Sequence, residues 1–223
     1  MSEKKLIKSY VLRAGRMSPG QRTAYEKLID VHCIKYEDKL IDLKRTFPDM
    51  EKYYLEIGFG MGDVTHAIAE KNQQNAYIGI EVHSPGVGKL LSEIDKKGLT
   101  NLKAIEHDAV EVLTNMIPDN TFDGIHIFFP DPWQKKKHKK RRLIQPDFTK
   151  LLTTKLKPGG YLYAVSDWED YADQILEVFS QTENLRNKYN GWAEPQEWRT
   201  ETKFERKGLK KNHLIREVFF IRE

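Results

Sequence analysis

The stretch Ile125-His-Ile-Phe-Phe-Pro-Asp-Pro-Trp133 combines an apolar run with one acid that stands between two prolines. An apolar run of this length that ends at proline predicts a buried strand rather than a helix. Asp131 would then follow the carboxyl end of that strand, where open α/β sheets bind their ligands. Because proline fixes its own φ and restricts the residue before it, the backbone around Asp131 is predicted to be stiff.

A basic run follows directly, Gln134-Lys-Lys-Lys-His-Lys-Lys-Arg-Arg142. A cluster of this charge indicates a polyanionic substrate. The simpler interpretations are a solvated face for the charge run and a helix cap for the acid. The adjacency of the two features favours a site. Its candidate RNA-binding residues are Lys136, Lys137, His138, Lys139, Lys140, Arg141 and Arg142.

The composition of the 223-residue chain fits one domain with appendages, and 39% hydrophobic residues support a real core. The net charge is only +4, so the overall balance is mild support for nucleic acid. The single cysteine, Cys33, excludes an internal disulfide and a multi-cysteine metal site, and we expect no metal. No apolar run reaches membrane-spanning length and the N-terminus lacks a signal-peptide core, so we expect a cytoplasmic protein without a membrane partner.

Residues 1–22 are basic and contain Gly, Ser and Pro without a clear period. Such a composition buries too little apolar surface to order itself. We therefore predict a mobile basic arm over residues 1–22 and one domain over residues 23–223. Residues from about Ser18 to Leu28 could open a short helix.

Downstream of this region, strands and helices alternate. Strands are predicted at Tyr53–Gly58, Ala76–Glu81, Leu102–Glu106, Phe122–Phe129, Tyr161–Val165 and Leu214–Ile221, and helices at Val64–Lys71, Gly86–Lys97, Val110–Met116, Pro146–Leu156 and Glu169–Ser180. Asp63 is predicted to cap the first of these helices, and Lys157-Pro-Gly-Gly160 to form a turn. The order predicts an α/β fold: a Rossmann-like, doubly wound, mostly parallel sheet with helices on both faces and an antiparallel C-terminal strand.

The loop Gly58-Phe-Gly-Met-Gly62 follows the first strand and places backbone N–H groups and a helix N-terminus at a ligand. The dinucleotide fingerprint is G-x-G-x-x-G, whereas this loop is G-x-G-x-G and follows Glu56. A carboxylate there would repel a pyrophosphate but would hold a cationic group. The pattern therefore disfavours an NAD-dependent oxidoreductase.

Three acids lie at the ends of successive predicted strands. Glu56 could hold an ammonium group, Glu81 is placed to accept hydrogen bonds from ribose hydroxyls, and Asp108 could accept one from an adenine amino group. S-adenosylmethionine carries these groups and no phosphate, so the acids, with Gly58 and Gly60, predict it as the cofactor. The alternative is that the acids are helix caps.

With these residues placed, the chain resembles the tRNA (guanine-N7-)-methyltransferase family in its bacterial form. The resemblance runs from about Tyr53 to the C-terminus, and Val11 to Gln21 is also similar. Its motifs are Glu56-Ile-Gly-Phe-Gly60, Gly79-Ile-Glu-Val-His83 with Pro85-Gly-Val-Gly88, Pro130-Asp-Pro-Trp133 leading into Lys139-Lys-Arg-Arg142, and Thr202-Lys-Phe-Glu-Arg-Lys-Gly208.

The resemblance implies methyl transfer from S-adenosylmethionine to N7 of a guanosine in the variable loop of tRNA, guanine 46. It also implies roles for single residues. Glu56, Glu81, Asp108 and Asp131 match the cofactor-contacting positions, and Asp131 is the proposed catalytic residue. The positions that match substrate contacts are Lys135, Asp167, Thr202, Lys203, Phe204 and Glu205. The implied partner is tRNA, with no obligatory protein partner, in a monomer or a homodimer.

Guanine N7 has an in-plane lone pair and no proton, so the reaction needs no general base to create the nucleophile. Asp131 is therefore expected to orient the base or the cofactor and to offset the positive charge that develops on the imidazole half of guanine. Asp167 could accept hydrogen bonds from guanine N1–H and the exocyclic amine. Glu205 with Lys203 could close over the cofactor or the guanine, and an ordinary surface ion pair is the alternative.

Two other functions remain open at this point. A methyltransferase of the same fold could act on another nucleic acid or on protein, although Pro-Asp-Pro-Trp fits the hook of amino-group methyltransferases poorly. A non-catalytic RNA-binding subunit could keep the fold, but it would not need the cofactor acids. Trp133 could stack on a base or close a pocket wall, and His126 is expected to lie in the core or in solvent.

Overall fold

The computed structural model describes residues 8–10, 15–199, 205 and 214–223, which build one sheet covered by helices. The strands are β1 (Tyr53–Ile57), β2 (Ala76–Glu81), β3 (Leu102–Glu106), β4 (Phe122–Phe128), β5 (Leu156–Ser166), β6 (Leu185–Asn187) and β7 (Arg216–Arg222). The α-helices are α1 (Pro19–His32), α2 (Leu43–Thr46), α3 (Asp63–Lys71), α4 (Ser84–Lys97), α5 (Ala109–Asn115), α6 (Pro146–Lys155) and α7 (Glu169–Ser180). Lys136–Arg141 form a 3-10 helix. None of the described helices is long and apolar enough to cross a bilayer.

The strand order in the sheet is β3-β2-β1-β4-β5-β7-β6. Strands β1 to β5 pair in parallel, and β7 is antiparallel to both β5 and β6. The predicted fold class is therefore confirmed, including the antiparallel late strand. The order changes direction between β1 and β4, and open α/β sheets bind ligands at the carboxyl ends of the strands at such a point.

Side chains along β1 alternate between the two faces of the sheet, as in every strand. Leu55 and Ile57 join the core that α5, α6 and α7 cover, together with Ile125 of β4. Tyr54 packs on the other core, which α3 and α4 cover. Helices thus cover both faces, and Glu56, between Leu55 and Ile57, points to the α3–α4 side.

Two local predictions were wrong. Asp63 lies inside the first turn of α3 and pairs with Lys89, while Gly62 occupies the N-cap with a φ of 72°. A residue at positive φ there favours glycine, which excludes Asp63 from the cap. The stretch 157–160 is not a free turn but an irregularity within β5, because the pairing with β4 shifts between Leu156 and Tyr161.

A helix lies partly inside the stretch of residues 1–22 that was assigned to the arm, and the domain boundary at residue 22 stays a prediction. Helix α1 begins at Pro19, and Ser18 and Gln21 form a capping box in which each side chain bonds the other's backbone N–H. The helix packs closely on α4, since a Cβ added to Gly88 would lie 2.5 Å from the Gln21 carbonyl oxygen. Residues 1–7 and 11–14 of the predicted arm lie outside the described residues, and the mobility of the arm stays a prediction.

Candidate active site

The glycine loop between β1 and α3 requires glycine at three positions. Gly58, Gly60 and Gly62 have φ values of 75°, 58° and 72°, a region that other residues adopt only under strain. The loop also lies against the first turn of α4, because a Cβ added to Gly86 would stand 1.9 Å from the Gly60 carbonyl oxygen. The loop is therefore in close contact with α4, and its backbone faces the space above the carboxyl ends of the strands.

Glu56 is a buried acid beneath this loop, with only 5% of its surface exposed. Burial raises the pKa of its carboxyl group to about 8; the hydroxyl of Thr65 on α3 opposes this shift and the charge of Glu81 adds to it. A nearby ammonium group would favour the ionised form again. Glu56 is thus suited to hold a cation of a ligand.

Glu81 joins the end of β2 to the glycine loop. Its Oε2 accepts a hydrogen bond of 2.8 Å from the Gly60 N–H, and its Oε1 accepts from the N–H groups of Val82 and His83 at 2.7 and 3.1 Å. Burial raises the pKa of Glu81, while these N–H groups lower it. Oε1 already accepts two hydrogen bonds, but Oε2 accepts only one and has a further lone pair, so Glu81 can still accept from a ribose hydroxyl through Oε2.

Asp108 caps helix α5, as the alternative interpretation of the acids proposed. Its Oδ1 accepts hydrogen bonds from the N–H groups of Val110 and Glu111 at 2.8 and 3.4 Å. The residues on either side of it, His107 and Ala109, line the central cavity, but Asp108 does not. The contact that Asp108 was predicted to make with the adenine stays a prediction.

The segment Phe129 to Trp133 after β4, here called the hook, has strained backbone at its first and last residues. Phe129 has a φ of 48° and Trp133 a φ of 43°, both unusual for residues other than glycine. The Phe129 N–H donates to the Val165 carbonyl of β5 at 2.8 Å. Asp131 stands between these two points, exposed to solvent and at the wall of the cavity.

A cavity of about 430 Å³ lies above the carboxyl ends of β1, β2 and β4. It brings together the glycine loop, Glu56, Glu81 and Asp131, as predicted. It also has walls that the sequence did not indicate: His107, which stacks on Tyr36 at 3.7 Å between ring centres, and the N-terminal residues Ser9 and Tyr10. The position of His107 directly after β3 was the one available signal for these three.

Asp167 follows β5, and Asp131 follows the neighbouring strand β4. Phe128 of β4 is paired with Val165 of β5, so both acids leave the same edge of the sheet side by side. Neither Asp167 nor Lys135 lines the cavity. The substrate contacts predicted for both residues stay predictions.

Some cations of the basic run are exposed to solvent, and others contact protein groups. Lys135, Lys136, Lys137 and Lys140 are exposed on and beside the 3-10 helix. Lys139 donates from Nζ to Asp170 at 2.6 Å. Arg141 lies over the Trp133 ring at 5.0 Å, and the His138 ring meets the edge of the same indole.

The RNA-binding role predicted for Arg142 is corrected by its burial. Only 2% of this residue is exposed, and its guanidinium donates to protein groups on the hook and on α7. A guanidinium in this position cannot reach a phosphate. The remaining cations of the run keep their predicted role as a proposal.

Of the predicted Thr-Lys-Phe-Glu contacts, Thr202, Lys203 and Phe204 lie outside the described residues. Glu205 is 9% exposed, and its two carboxylate oxygens accept hydrogen bonds from Arg199 at 2.5 and 2.8 Å. Arg199 also donates to Glu217 of β7 at 2.6 Å. The ion pair with Arg199 is therefore buried, and the pairing of Glu205 with Lys203 stays a prediction, because Lys203 lies outside the described residues. The substrate contact of Glu205 stays a prediction.

His126 of β4 is a core residue, which was one of the two positions expected for it, the core or the solvent. Its ring stacks on Tyr54 and Trp198, its Nε2 lies 2.9 Å from the Tyr161 hydroxyl, and burial lowers its pKa to about 3. Within the described part of the chain, no group of three or more His, Cys, Asp or Glu side chains could hold a metal ion.

The donors around the cavity fit S-adenosylmethionine. The buried Glu56 carboxyl suits an ammonium group, the further lone pair of Glu81 Oε2 suits a ribose hydroxyl, and His107 with Ala109 offers a flat wall for a base. The described lining residues are Ser9, Tyr10, Glu56, Ile57, Gly58, Phe59, Gly60, Met61, Asp63, Val64, Ile80, Glu81, Val82, His107, Ala109, Phe128, Phe129, Pro130, Asp131 and Leu143. Lys and Arg are absent from this described lining, which suits a cationic ligand better than a pyrophosphate.

Known proteins are similar in sequence to this chain over most of its length. The sequence profile of the methyltransferase family Methyltransf_4 matches residues 50–218. The chain is 50% identical over 214 residues to a protein of Nitrosospira multiformis named tRNA (guanine-N(7)-)-methyltransferase, with 96% of this chain and 93% of that protein covered. A protein of the same name from Chromobacterium violaceum is 50% identical over 220 residues, with 99% of this chain and 97% of that protein covered.

Solved structures share the fold at lower identity. The aminoglycoside resistance methyltransferase NpmB1 superposes with a TM-score of 0.59 and 15% identity, with 83% of this chain and 95% of that chain covered. A SAM dependent methyltransferase from Aquifex aeolicus gives a TM-score of 0.53 and 16% identity, with 81% and 87% covered. These structures agree with the topology described above and carry no further argument about the substrate.

Proposed function

The chain belongs to the tRNA (guanine-N7-)-methyltransferase family, and we propose that it methylates N7 of guanosine 46 in the variable loop of tRNA. The observation that carries the proposal is the position of Asp131. It stands at the wall of the S-adenosylmethionine cavity and directly before the exposed lysines of the basic run. A base that reaches Asp131 from outside would therefore have its phosphates near that run.

S-adenosylmethionine supplies the methyl group from its sulfonium. Glu56 would hold the ammonium end, and Glu81, which accepts a hydrogen bond from the Gly60 N–H, would also accept from the ribose hydroxyls. These contacts fix one reactant. Holding two reactants in near-attack geometry lowers a barrier by several kcal/mol, on the order of 7–11 at the upper limit.

The protein orients the guanine and balances its charge without removing a proton from N7. When S-adenosylmethionine is bound, its sulfonium would supply the methyl group to the N7 lone pair with loss of the carbon–sulfur bond, and the purine would then carry the positive charge. Asp131 is placed to stabilise this charge, as preorganised groups do at sites of developing charge. Asp167, on the neighbouring strand end, accepts from guanine N1–H and the exocyclic amine, which selects guanine over adenine.

The exposed cations Lys135, Lys136, Lys137 and Lys140 contact tRNA phosphates. Lys135 and the segment Thr202 to Glu205 make the substrate contacts that the family resemblance implies. The protein acts in the cytoplasm, as a monomer or a homodimer, with tRNA as its partner and no obligatory protein partner.

The test uses unmodified tRNA transcripts, labelled S-adenosylmethionine and aniline cleavage, which maps N7-methylguanosine. The wild type should give one cleavage in the variable loop. Asp131→Asn should lower the single-turnover rate constant about 10²–10³-fold, the usual cost of losing one preorganised charge stabiliser. Asp147→Asn, an acid in the first turn of α6, is the matched control and should leave the rate unchanged.

Two outcomes would contradict the proposal. Label incorporated at another nucleotide or atom would reject the substrate assignment. An Asp131→Asn variant that binds S-adenosylmethionine weakly but keeps the wild-type rate at saturation would reject the charge-stabilising role of Asp131.

A further inference from the structure

Arg142 makes five contacts with the protein around it. Its Nε donates to the Pro132 carbonyl at 2.8 Å, and its Nη1 donates to Gln174 Oε1 at 2.7 Å and to the Asp170 carbonyl at 3.4 Å. Its Nη2 donates to the Asp170 carboxylate, and its guanidinium lies over the Tyr171 ring at 4.7 Å. One side chain thus connects the hook to the first two turns of α7.

The chain after Arg142 is held by the same turns of α7. The Tyr171 hydroxyl accepts a hydrogen bond of 3.0 Å from the Ile144 N–H, and Gln174 Nε2 donates to the Ile144 carbonyl at 3.0 Å. Tyr171 is fully buried. The backbone that follows Arg142 is therefore fixed against α7, which restricts where the Arg142 side chain can lie.

The hook, in contrast, needs support from outside. Phe129 and Trp133 hold positive φ values at its two ends, and such conformations persist only when the surroundings impose them. Pro132 has no N–H, so its carbonyl is the one backbone group that this residue can offer to a hydrogen-bond partner. Arg142 Nε bonds that carbonyl, next to Asp131 in the chain.

We propose that Arg142 is a positioning residue, which fixes the carboxylate of Asp131 relative to α7 and hence relative to Asp167. Helix α7 starts directly after Asp167, with Trp168 as its N-cap and the Ser166 hydroxyl accepting from the Trp168 N–H at 3.2 Å. The two acids that face the guanine are thus spaced through Arg142. This inference rests on the proposed function.

The charge of Arg142 is balanced inside the protein, which separates this role from RNA binding. Asp170 bonds both Lys139 and Arg142, and these cations, Lys139 first, lower the pKa of its carboxyl group. A buried and paired guanidinium releases no counterion when tRNA binds. Arg142 should therefore contribute nothing to the salt dependence of binding.

The test measures the single-turnover rate constant, tRNA affinity and S-adenosylmethionine affinity for Arg142→Lys. Lysine keeps the charge but lacks the fork that reaches four acceptor atoms. A misplacement on the order of 1 Å at the reacting groups costs about 10²-fold in rate, so we expect a fall of that size with tRNA affinity and its salt dependence unchanged.

The matched control is Arg222→Lys. Arg222 also donates to a backbone carbonyl, that of Leu156, at the opposite edge of the sheet, and to Asn120. The Arg222→Lys variant should lose thermal stability, while its single-turnover rate constant stays at the wild-type value. If Arg142→Lys fails to fold, Asp170→Asn removes one partner of Arg142 at the surface instead. That variant should lower the rate without weakening tRNA binding, because it also frees Lys139.

A double-mutant cycle with Asp131→Asn decides whether Arg142 acts through Asp131. If it does, Arg142→Lys adds little to the loss in the Asp131→Asn background. Additive losses would overturn the proposal, as would an Arg142→Lys variant with normal rate and a reduced salt dependence. A wild-type protein that methylates no tRNA would reject the proposed function instead, and this result is visible before any variant is made.

Discussion

The indole Nε1 of Trp133 donates a hydrogen bond of 2.9 Å to the backbone carbonyl of Ser9, which ties the hook after β4 to the N-terminal segment. Ser9 and Tyr10 form part of the cavity wall. The indole also carries Arg141 over its ring. Trp133 does not itself line the cavity, but it holds Ser9 of the cavity wall and carries a cation of the basic run, and both roles considered for it stay predictions.

We predict that Trp133→Phe releases S-adenosylhomocysteine faster than the wild type. Phenylalanine keeps a ring beneath Arg141 but cannot hold Ser9, and the loss of one hydrogen bond, about 0.5–1.5 kcal/mol, corresponds to a rate change of roughly two- to tenfold. Stopped-flow dissociation and hydrogen exchange at Ser9 and Tyr10 measure it. Trp192→Phe, at an exposed tryptophan, is the control. Unchanged dissociation together with unchanged exchange would show that the N-terminal segment is held by other contacts.

Glu56 makes the stability of the ligand-free protein depend on pH. Its pKa is about 8 in the folded chain against an ordinary 4.5, so between these values the folded chain keeps a proton that the unfolded chain has lost. The free energy of unfolding therefore falls as the pH rises through this window, by about 1.4 kcal/mol per pH unit at most.

Glu56→Gln removes this contribution. We expect the variant to gain stability relative to the wild type on going from pH 5.5 to 7.5, in urea unfolding at both values. Glu51→Gln, at an exposed position just before β1, should show no such gain. A constant difference between Glu56→Gln and wild type at the two pH values would mean that Glu56 is already ionised at pH 5.5.

The division of the basic run predicts which lysines set the salt dependence of tRNA binding. Alanine at Lys136, Lys137 and Lys140 together should reduce the magnitude of the slope of log K against log salt by about 2–3, since each phosphate contact contributes roughly 0.7–0.9. Lys139→Ala should change it less, because its Nζ bonds Asp170. Filter binding over a range of KCl concentrations measures the slopes.

The control for this experiment changes the net charge equally at the other edge of the sheet. Lys39, Lys44 and Lys52 are exposed near α2 and the start of β1, away from the strand ends that hold the cavity. Their triple alanine variant should keep the wild-type slope. Equal slopes for the two triple variants would show that tRNA responds to total charge and not to the basic run.

The parts of the site that could be predicted depend on local signals. The apolar run before Pro130 and the glycine loop after β1 each define a strand end, and strand ends of a parallel sheet meet at one edge, so Glu56, Glu81 and Asp131 came together as expected. Asp108 shows the limit of this reasoning, because an acid after a strand also suits a helix cap, and the helix used it.

The parts that could not be predicted depend on contacts between distant segments. Arg142 ends a run of cations that looks solvated throughout, and it is buried only because Asp170 and Gln174 of α7 lie around it. Arg199 and Glu205 likewise form a buried cluster only because β7 brings Glu217 beside them. Short elements such as β6 have too few residues to show a period.

The close approach of the glycine loop to α4 gives a last prediction. A Cβ on Gly86 would stand 1.9 Å from the Gly60 carbonyl oxygen, a distance that no Cβ tolerates, so Gly86→Ala must displace the loop or the helix. The displacement would also disturb the bond from the Gly60 N–H to Glu81. We expect a loss of about 1–3 kcal/mol in the free energy of unfolding, as for other overpacked sites, and weaker binding of S-adenosylmethionine.

Gly20→Ala is the matched control, since Gly20 also lies in the first turn of a helix but has nothing within 4 Å of an added Cβ. This variant should keep the cofactor affinity and gain up to about 0.5–1 kcal/mol, because alanine restricts the unfolded chain. Urea unfolding and calorimetric titration with S-adenosylhomocysteine separate the two effects. If Gly86→Ala kept both stability and affinity, the loop would have room to move, and the hydrogen bond from Gly60 to Glu81 would not be what shapes the cavity.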